Sequence, residues 1–386
     1  MFKTAIPFFI RAITPVHAGS GNDLGIVDLP IQREGHTGFP KIEASTLKGS
    51  IRDAFELEAK SKENEEEKIK EEIKIHLIFG YDGTNASKSI KKFFEEDLDF
   101  IQFSSSIAFA DARILLFPVK SLKGVFAYAT CPAVLKRLES DLKMALLTNE
   151  IKIDDREFKA EIYKVEDEGK ALVSNESKLI VKGNQVVLEE YLFEVEKKQE
   201  VSELAQTLSK LTGIEEDSLK ERLIVLSDDD FTDFVKLSTE VITRIKINNE
   251  TGTVDQGALF TEEYLPAETV MYSIVFFSPL FLDRSKDIEV ESDNNSQNCE
   301  GIKKIKKDNK TCLTGKLEDF IKCKTDLKNF DENEVKDFFE KNFEKDGDNL
   351  KILQIGGNET IGKGFIEVNL FNSEGGQQKW QLNYQI

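Results

Sequence analysis

The chain has 386 residues, of which 40% are hydrophobic and 32% charged, and it carries a formal net charge of −19. That length holds one elaborate domain or two ordinary ones with a sizeable core, and acidity on this scale excludes a uniformly basic nucleic-acid binder while leaving room for a locally neutral or basic face. No apolar run reaches membrane-spanning length, and the N-terminus lacks the basic, apolar and small-residue segments of a signal peptide, so a cytoplasmic protein with no membrane partner is expected.

Residues 4–13, TAIPFFIRAI, alternate loosely and read as a strand. A glycine-rich loop over residues 14–44 follows. Between residues 17 and 40 it holds five of the 23 glycines and two of the three histidines, His17 and His36. It also holds one carboxylate, Asp28, inside the apolar run Gly25-Ile26-Val27-Asp28-Leu29-Pro30. Residues 44–74 read as one helix that Ser45 or Thr46 caps. Leu47, Ile51 and Phe55 form its buried stripe, and Lys48 and Arg52 project together near its start. Its distal part, residues 56–72, carries eight Glu against four Lys and reads as a solvated continuation or a loop.

Residues 106–119 and 124–132 are strand-like, and residues 133–146 are helical. Residues 177–195 read as a hairpin turning at Lys182-Gly183-Asn184. Ser227 caps the next helix, with Asp228, Asp229 and Asp230 in its first turn. Acids there complement the helix dipole, which explains the triplet better than a metal site does. A hairpin over 244–270 follows, with its tip at Asn248 to Gly257. Residues 283–350 are polar and helix-prone, in the manner of an insertion. The cysteines (Cys131, Cys299, Cys312, Cys323) show no CxxC spacing and suit free thiols in a reducing compartment better than zinc.

The last strand pair encloses Gly357-Asn-Glu-Thr-Ile-Gly362-Lys363-Gly364, close to a P-loop. The pattern fails where its chemistry lies. Gly364 offers no hydroxyl to a magnesium ion, and a strand follows instead of a helix N-terminus. Two readings remain: a backbone nest beside a phosphodiester chain, with Lys363 adding charge, or a plain turn. Short strands interrupted by helices, without regular βαβ alternation, make the fold class α+β.

Five segments taken in order resemble a known family: His17 to Arg52, Phe109 to Pro132, Arg222 to Phe234, Thr251 to Pro266 and Leu353 to Gly364. Together they resemble the RAMP superfamily of CRISPR proteins, and within it the filament-forming backbone subunit of the type III-B (Cmr) effector complex. The resemblance implies a single RAMP domain over 1–386: a modified ferredoxin-like (RRM-like) palm with an inserted β-hairpin thumb and helical insertions. It implies as partners a CRISPR guide RNA, a single-stranded target RNA, other copies of the chain in a filament and other Cmr subunits. It also implies that each thumb displaces a target nucleotide, and that the target is cut beside it with a divalent metal, Mg2+ being expected. In that family the aspartate of the Val-Asp pair cleaves, which here is Asp28.

The chemistry is consistent. RNA can be cut by its own 2′-hydroxyl only when attack on phosphorus is in line, which a stacked A-form strand forbids and a displaced nucleotide permits. A carboxylate then accepts the proton or holds a hydrated metal ion. Asp28 is therefore both the expected catalytic residue and the expected metal ligand. His17 either protonates the leaving oxygen or shapes the loop, and His36 orders it. Glu262 and Glu263 are second carboxylates or solvated strand residues. The expected RNA contacts are Lys48, Arg52, Gly356, Gly357, Gly362, Lys363, Gly364 and, at the thumb tip, Thr253. A non-catalytic scaffold and a guide-processing endoribonuclease centred on His17 are the alternatives.

Overall fold

A computed structural model of the chain describes residues 2–21, 27–84, 86–99, 102–153, 156–165, 167–247, 252–283, 285–291, 300–307, 310–345, 348–349 and 352–371. It separates into two compact units. One comprises Ala5–Ser50, Phe109–Val275 and Asn349–Ile386; the other comprises Met1–Thr4, Ile51–Ala108 and Phe276–Asp348. Among the described residues no helix is long and apolar enough to cross a membrane.

The first unit is built on a mixed sheet of 12 strands, ten on its main path and two short ones, Lys41–Ile42 and Ile107–Phe109, left unnumbered beside it. The strands, with those of the hairpin included in chain order, are β1 (Thr4–Ala12), β2 (Ala112–Lys120), β3 (Phe126–Thr130), β4 (Lys170–Val173), β5 (Gln185–Leu188), β6 (Tyr191–Lys197), β7 (Leu223–Leu226), β8 (Glu240–Ile247), β9 (Val254–Tyr264), β10 (Val270–Phe277), β11 (Ile352–Gln354) and β12 (Phe365–Leu370). The main sheet runs β11-β12-β1-β10-β2-β3-β7-β4-β6-β5. Its centre is apolar on both faces, which is why β1 and β2 read as near-continuous hydrophobic runs: Phe8, Phe9, Ile114 and Phe117 are all buried. β1 pairs antiparallel with β12, from Phe8↔Leu370 to Ala12↔Ile366. β3 and β7 pair parallel, with Leu223 opposite Tyr128. The helix Pro132–Leu146 follows β3 and buries Val134, Leu135, Leu138 and Leu142, a stripe at helical spacing. This is the expected α+β arrangement of a ferredoxin-like core carrying insertions.

β8 and β9 form a separate two-stranded hairpin, paired from Glu240↔Tyr264 to Ile245↔Leu259, with a register shift before Ile247↔Val254. It starts before the expected residue 244 and ends at Tyr264, because residues 265–269 form the turn into β10, with Glu268 at φ 72. Of the expected tip, residues 248–251 lie outside the described residues.

The continuous helix expected over 44–74 is two helices, Ala44–Lys60 and Glu65–Phe79. Asn64 restarts the second by accepting from the N–H groups of Glu66 and Glu67. The cap of the first is tertiary: Asp111 Oδ1 accepts the Ala44 N–H at 2.9 Å, so neither Ser45 nor Thr46 stands at the cap position. Ser227, by contrast, caps the helix Asp228–Leu237 as expected. The expected Lys182-Gly183-Asn184 turn is present, closed by an antiparallel bridge between Lys182 and Gln185, and a second turn at Glu189 (φ 49) joins β5 to β6.

In the second unit, Phe55 packs against Phe79, Phe338, Phe339 and Phe343 with ring centroids 5.5–6.2 Å apart. Residues 283–350 therefore contribute to a core. They include the sheet Asp287–Glu291, Lys303–Lys307 and Lys310–Lys316 and the helices Leu317–Lys324 and Glu332–Phe343. Cys131 and Cys312 are free thiols as expected. Cys323 is disulfide-bonded, a departure from that expectation.

Candidate active site

The glycine-rich loop is ordered by its own backbone and by the hairpin. Its two limbs pair with each other: Ser20 N–H donates to Pro30 O at 3.0 Å, and Gln32 N–H to Ala18 O at 2.8 Å. Residues 22–26 of the loop lie outside the described residues. Beyond them the chain meets β9 at a single bridge. Leu29 N–H donates to Thr261 O, and Glu263 N–H donates to Leu29 O, both at 3.0 Å, forming a parallel bridge between Leu29 and Glu262.

This pairing fixes Asp28. Its Oδ2 accepts from the Thr261 N–H at 2.8 Å and from the Thr261 hydroxyl at 2.9 Å. Its own N–H donates back to that hydroxyl at 3.0 Å. The carboxylate is fully exposed, and the backbone and hydroxyl donors of Thr261 hold its pKa below the ordinary carboxylate value. It is therefore ionised at neutral pH and faces solvent from the flank of the hairpin.

Glu263 faces the other way. Its Oε1 accepts from Arg33 at 2.5 Å and from the Thr239 hydroxyl at 2.7 Å, and its Oε2 accepts from Ile31 N–H at 3.0 Å. The expectation of a catalytic or a solvated Glu263 changes accordingly. The side chain is 7% exposed, and each of its carboxylate oxygens is engaged in tying the far limb of the loop to the hairpin base. Arg33 extends the clamp by donating to the carbonyls of Gly38 and Val235. Glu34, also buried, receives Arg137 and the Thr37 hydroxyl. The turn at 34–39 is ordered by these contacts, while the His36 side chain is 79% exposed.

His17 Nδ1 lies 2.7 Å from the Glu263 carbonyl oxygen. A carbonyl only accepts, so this nitrogen carries the proton, and in the neutral ring Nε2 keeps its lone pair. Nε2 abuts Gly19, where an added Cβ would come within 2.7 Å. The ring also packs against Tyr264, with centroids 5.5 Å apart.

Tyr264 connects this centre to the second glycine loop. Its hydroxyl donates to Glu262 Oε2 at 2.5 Å, and it receives Arg244 at 2.7 Å and Asn358 at 2.9 Å. Arg244 Nε also lies 2.5 Å from Glu262, as an ion-pair contact and not an aligned hydrogen bond. Lys363 Nζ stands over the Tyr264 ring at 5.1 Å. Glu262, like Glu263, is therefore neither solvated nor open.

The loop Gly356–Gly364 packs against residues 15–18. Gly357 N–H donates to His17 O at 3.0 Å, and Gly364 N–H donates to Pro15 O at 2.9 Å. Gly356 (φ 78) and Gly364 (φ 82) occupy the left-handed region, where a Cβ would run into the carbonyls of His17 and Ile355 respectively. These two glycines are required by backbone packing. Gly362 (φ 75) has nothing near its missing side chain.

Arg52 does not stand free for phosphate. It donates to Glu56 at 2.8 Å and to the Gly80 carbonyl at 3.3 Å, and lies 2.8 Å from His76 Nδ1. Lys48 is half-buried on the same helix, and Thr253 is exposed near the hairpin tip. Among the described residues no group of three or more His, Cys, Asp or Glu is placed to hold a metal ion. One exposed carboxylate suits a hydrated divalent ion shared with substrate phosphate and does not make a protein cage. Thr261, Arg33, Tyr264 and Asn358 were not singled out from the sequence. The available signal for Arg33 was its being the one basic residue other than histidine in the glycine-rich stretch 17–40, whereas Thr261 is distinguished only by its register opposite Asp28.

The sequence profile of the RAMP superfamily matches residues 9–367. The chain is 36% identical over 364 residues to the CRISPR system Cmr endoribonuclease Cmr4 of Pyrococcus furiosus, covering 94% of each. It is 28% identical over 298 residues to the CRISPR system CMR subunit Cmr4 of Saccharolobus solfataricus, covering 73% of this chain and 85% of that one. The crystal structure of oligomeric Cmr4 from Pyrococcus furiosus superposes with a TM-score of 0.57 at 28% identity, over 96% of this chain and 98% of that one.

Proposed function

Because the chain belongs to the RAMP superfamily, we propose that it is the guide-RNA-binding backbone subunit of a type III-B Cmr ribonucleoprotein and an endoribonuclease that cuts complementary single-stranded target RNA. It is homologous to Cmr4 over nearly its whole length. Its partners are guide RNA, target RNA, further copies of itself and other Cmr subunits, in the cytoplasm.

The observation that carries the catalytic assignment is the exposed, ionised Asp28 carboxylate fastened to the side of the β8–β9 hairpin. In this reading the hairpin displaces a target nucleotide and so rotates the 2′-hydroxyl into line with phosphorus. Asp28 accepts a hydrogen bond from that hydroxyl and orients it. Its low basicity makes full proton removal by this group alone inefficient. A divalent ion such as Mg2+, held by Asp28 together with RNA phosphate, would supply the missing charge stabilisation. His17 holds the loop to Glu263 through Nδ1 and has Nε2 left for the leaving 5′-oxygen when protonated. Glu263 positions and does not react. Lys363 and the Gly356–Gly364 loop flank the guide strand.

The test is cleavage of a labelled target by complexes reconstituted with wild-type or Asp28→Ala subunit. Loss of at least about 100-fold in rate, with target binding retained, is expected from removal of a general acid–base group. Evenly spaced fragments released by the variant at wild-type speed would refute the assignment.

A further inference from the structure

We propose that Thr261 is a positioning residue for the cleavage step: it fastens the Asp28 carboxylate to the hairpin, so that the element which distorts the RNA also carries the acid to it. The inference rests on the assignment of Asp28 above and adds to it the means by which that group is held.

Three hydrogen bonds join the two residues. The Thr261 hydroxyl accepts the Asp28 N–H and donates to Asp28 Oδ2, while the Thr261 N–H donates to the same oxygen. A hydroxyl is the smallest side-chain group that donates and accepts at once. The Leu29–Glu262 bridge immediately beyond fixes the backbone on which Asp28 stands. Among the described residues, Thr261 is the one that bonds the Asp28 carboxylate.

Thr261 sits on a paired strand opposite Thr243, and its β-branch restricts χ1, so its hydroxyl direction is set by the strand. Asp28, by contrast, follows a segment rich in glycine. Without the hydroxyl, its carboxylate keeps one backbone donor and gains rotamer freedom. Misplacement of about 1 Å at a reacting centre is enough to cost on the order of 100-fold in rate.

The experiment uses guide-loaded complexes and a labelled complementary target, under single-turnover conditions with the target saturating. Thr261→Val keeps the shape and removes the hydroxyl, and Thr261→Ser keeps the hydroxyl and removes the methyl group. Asp28→Ala serves as the reference. The expected result is a cleavage rate lowered roughly 10- to 100-fold in Thr261→Val, from loss of hydrogen bonds to a charged group, with target affinity unchanged. Thr261→Ser should stay close to wild type, and Thr261→Ala should fall with Thr261→Val, which covers the case in which valine disturbs assembly. Wild-type cleavage by Thr261→Val beside an inactive Asp28→Ala would overturn this inference alone. So would Thr261→Ser as slow as Thr261→Val, because the methyl group and not the hydroxyl would then be responsible. Wild-type cleavage by Asp28→Ala would remove the assignment on which the inference stands.

Discussion

Arg33 lies 2.5 Å from Glu263, and this ion pair joins the far limb of the glycine-rich loop to the base of the hairpin. Both groups are largely withdrawn from water, at 23% and 7% side-chain exposure. Removing one partner of such a pair leaves an uncompensated charge and costs about 3–5 kcal/mol, whereas replacing both with apolar groups of similar size costs far less. Arg33→Met should therefore destabilise the protein by an amount in that range, and Arg33→Met with Glu263→Leu by less than the single change. Urea unfolding of the three proteins checks this. Equal losses for the single and double variants would show that the pair is not coupled as its geometry indicates.

The loop Gly356–Gly364 offers a test of backbone packing against phosphate cradling. Gly356 and Gly364 combine positive φ with carbonyl oxygens where a Cβ would stand, while Gly362 has positive φ and open space. Gly356→Ala and Gly364→Ala should lose about 1–3 kcal/mol of stability from strain, and Gly362→Ala about 1 kcal/mol. Gly357→Ala, at ordinary φ, should be close to neutral. Thermal unfolding without RNA ranks the four variants. An equal response across all four would contradict the packing account.

The sequence announced the fold where the apolar pattern was continuous. Phe8, Phe9 and the run Ile114–Phe117 are buried on both faces, and such strands need no tertiary information to be recognised. It missed what depends on distant partners. The cap of the helix Ala44–Lys60 is Asp111, far along the chain, and the break before Glu65 hides in a tract of glutamates and lysines whose later part is buried around Ile73, Ile75 and Phe79. At the candidate site, Asp28 and His17 were legible as chemistry-bearing residues in a glycine-rich loop. The inward direction of Glu262 and Glu263 was not. Adjacent strand residues point to opposite faces, yet here the loop covers one carboxylate and Asn358 with Arg244 covers the other.

His76 gives the fold a built-in pH dependence. Burial, reinforced by the Arg52 charge, lowers its pKa from 6.5 to about 4. Between those values the unfolded chain binds a proton that the native protein does not. The stability associated with the neutral imidazole is thus complete above pH 6.5 and is lost as pH falls toward 4, at up to about 1.4 kcal/mol per pH unit. His76→Gln should flatten this part of the stability–pH curve in urea titrations between pH 4.5 and 7. Parallel curves for the two proteins would show that the imidazole is not the titrating group.

Lys363 and Arg52 were both expected at phosphates, and the structure separates them. Arg52 is held by Glu56, the Gly80 carbonyl and His76, so its loss should appear as lower stability. Lys363, a half-buried residue, stands over the Tyr264 ring. A lysine that neutralises one phosphate contributes close to one unit to the slope of log affinity against log salt. In reconstituted complexes, Lys363→Ala should weaken guide binding and reduce that slope by about one unit. Arg52→Ala should leave the slope unchanged while lowering the unfolding midpoint. A cation–π contact alone would give the reverse for Lys363, a loss of stability with no change in slope, because no counterion is released when the lysine meets an aromatic ring.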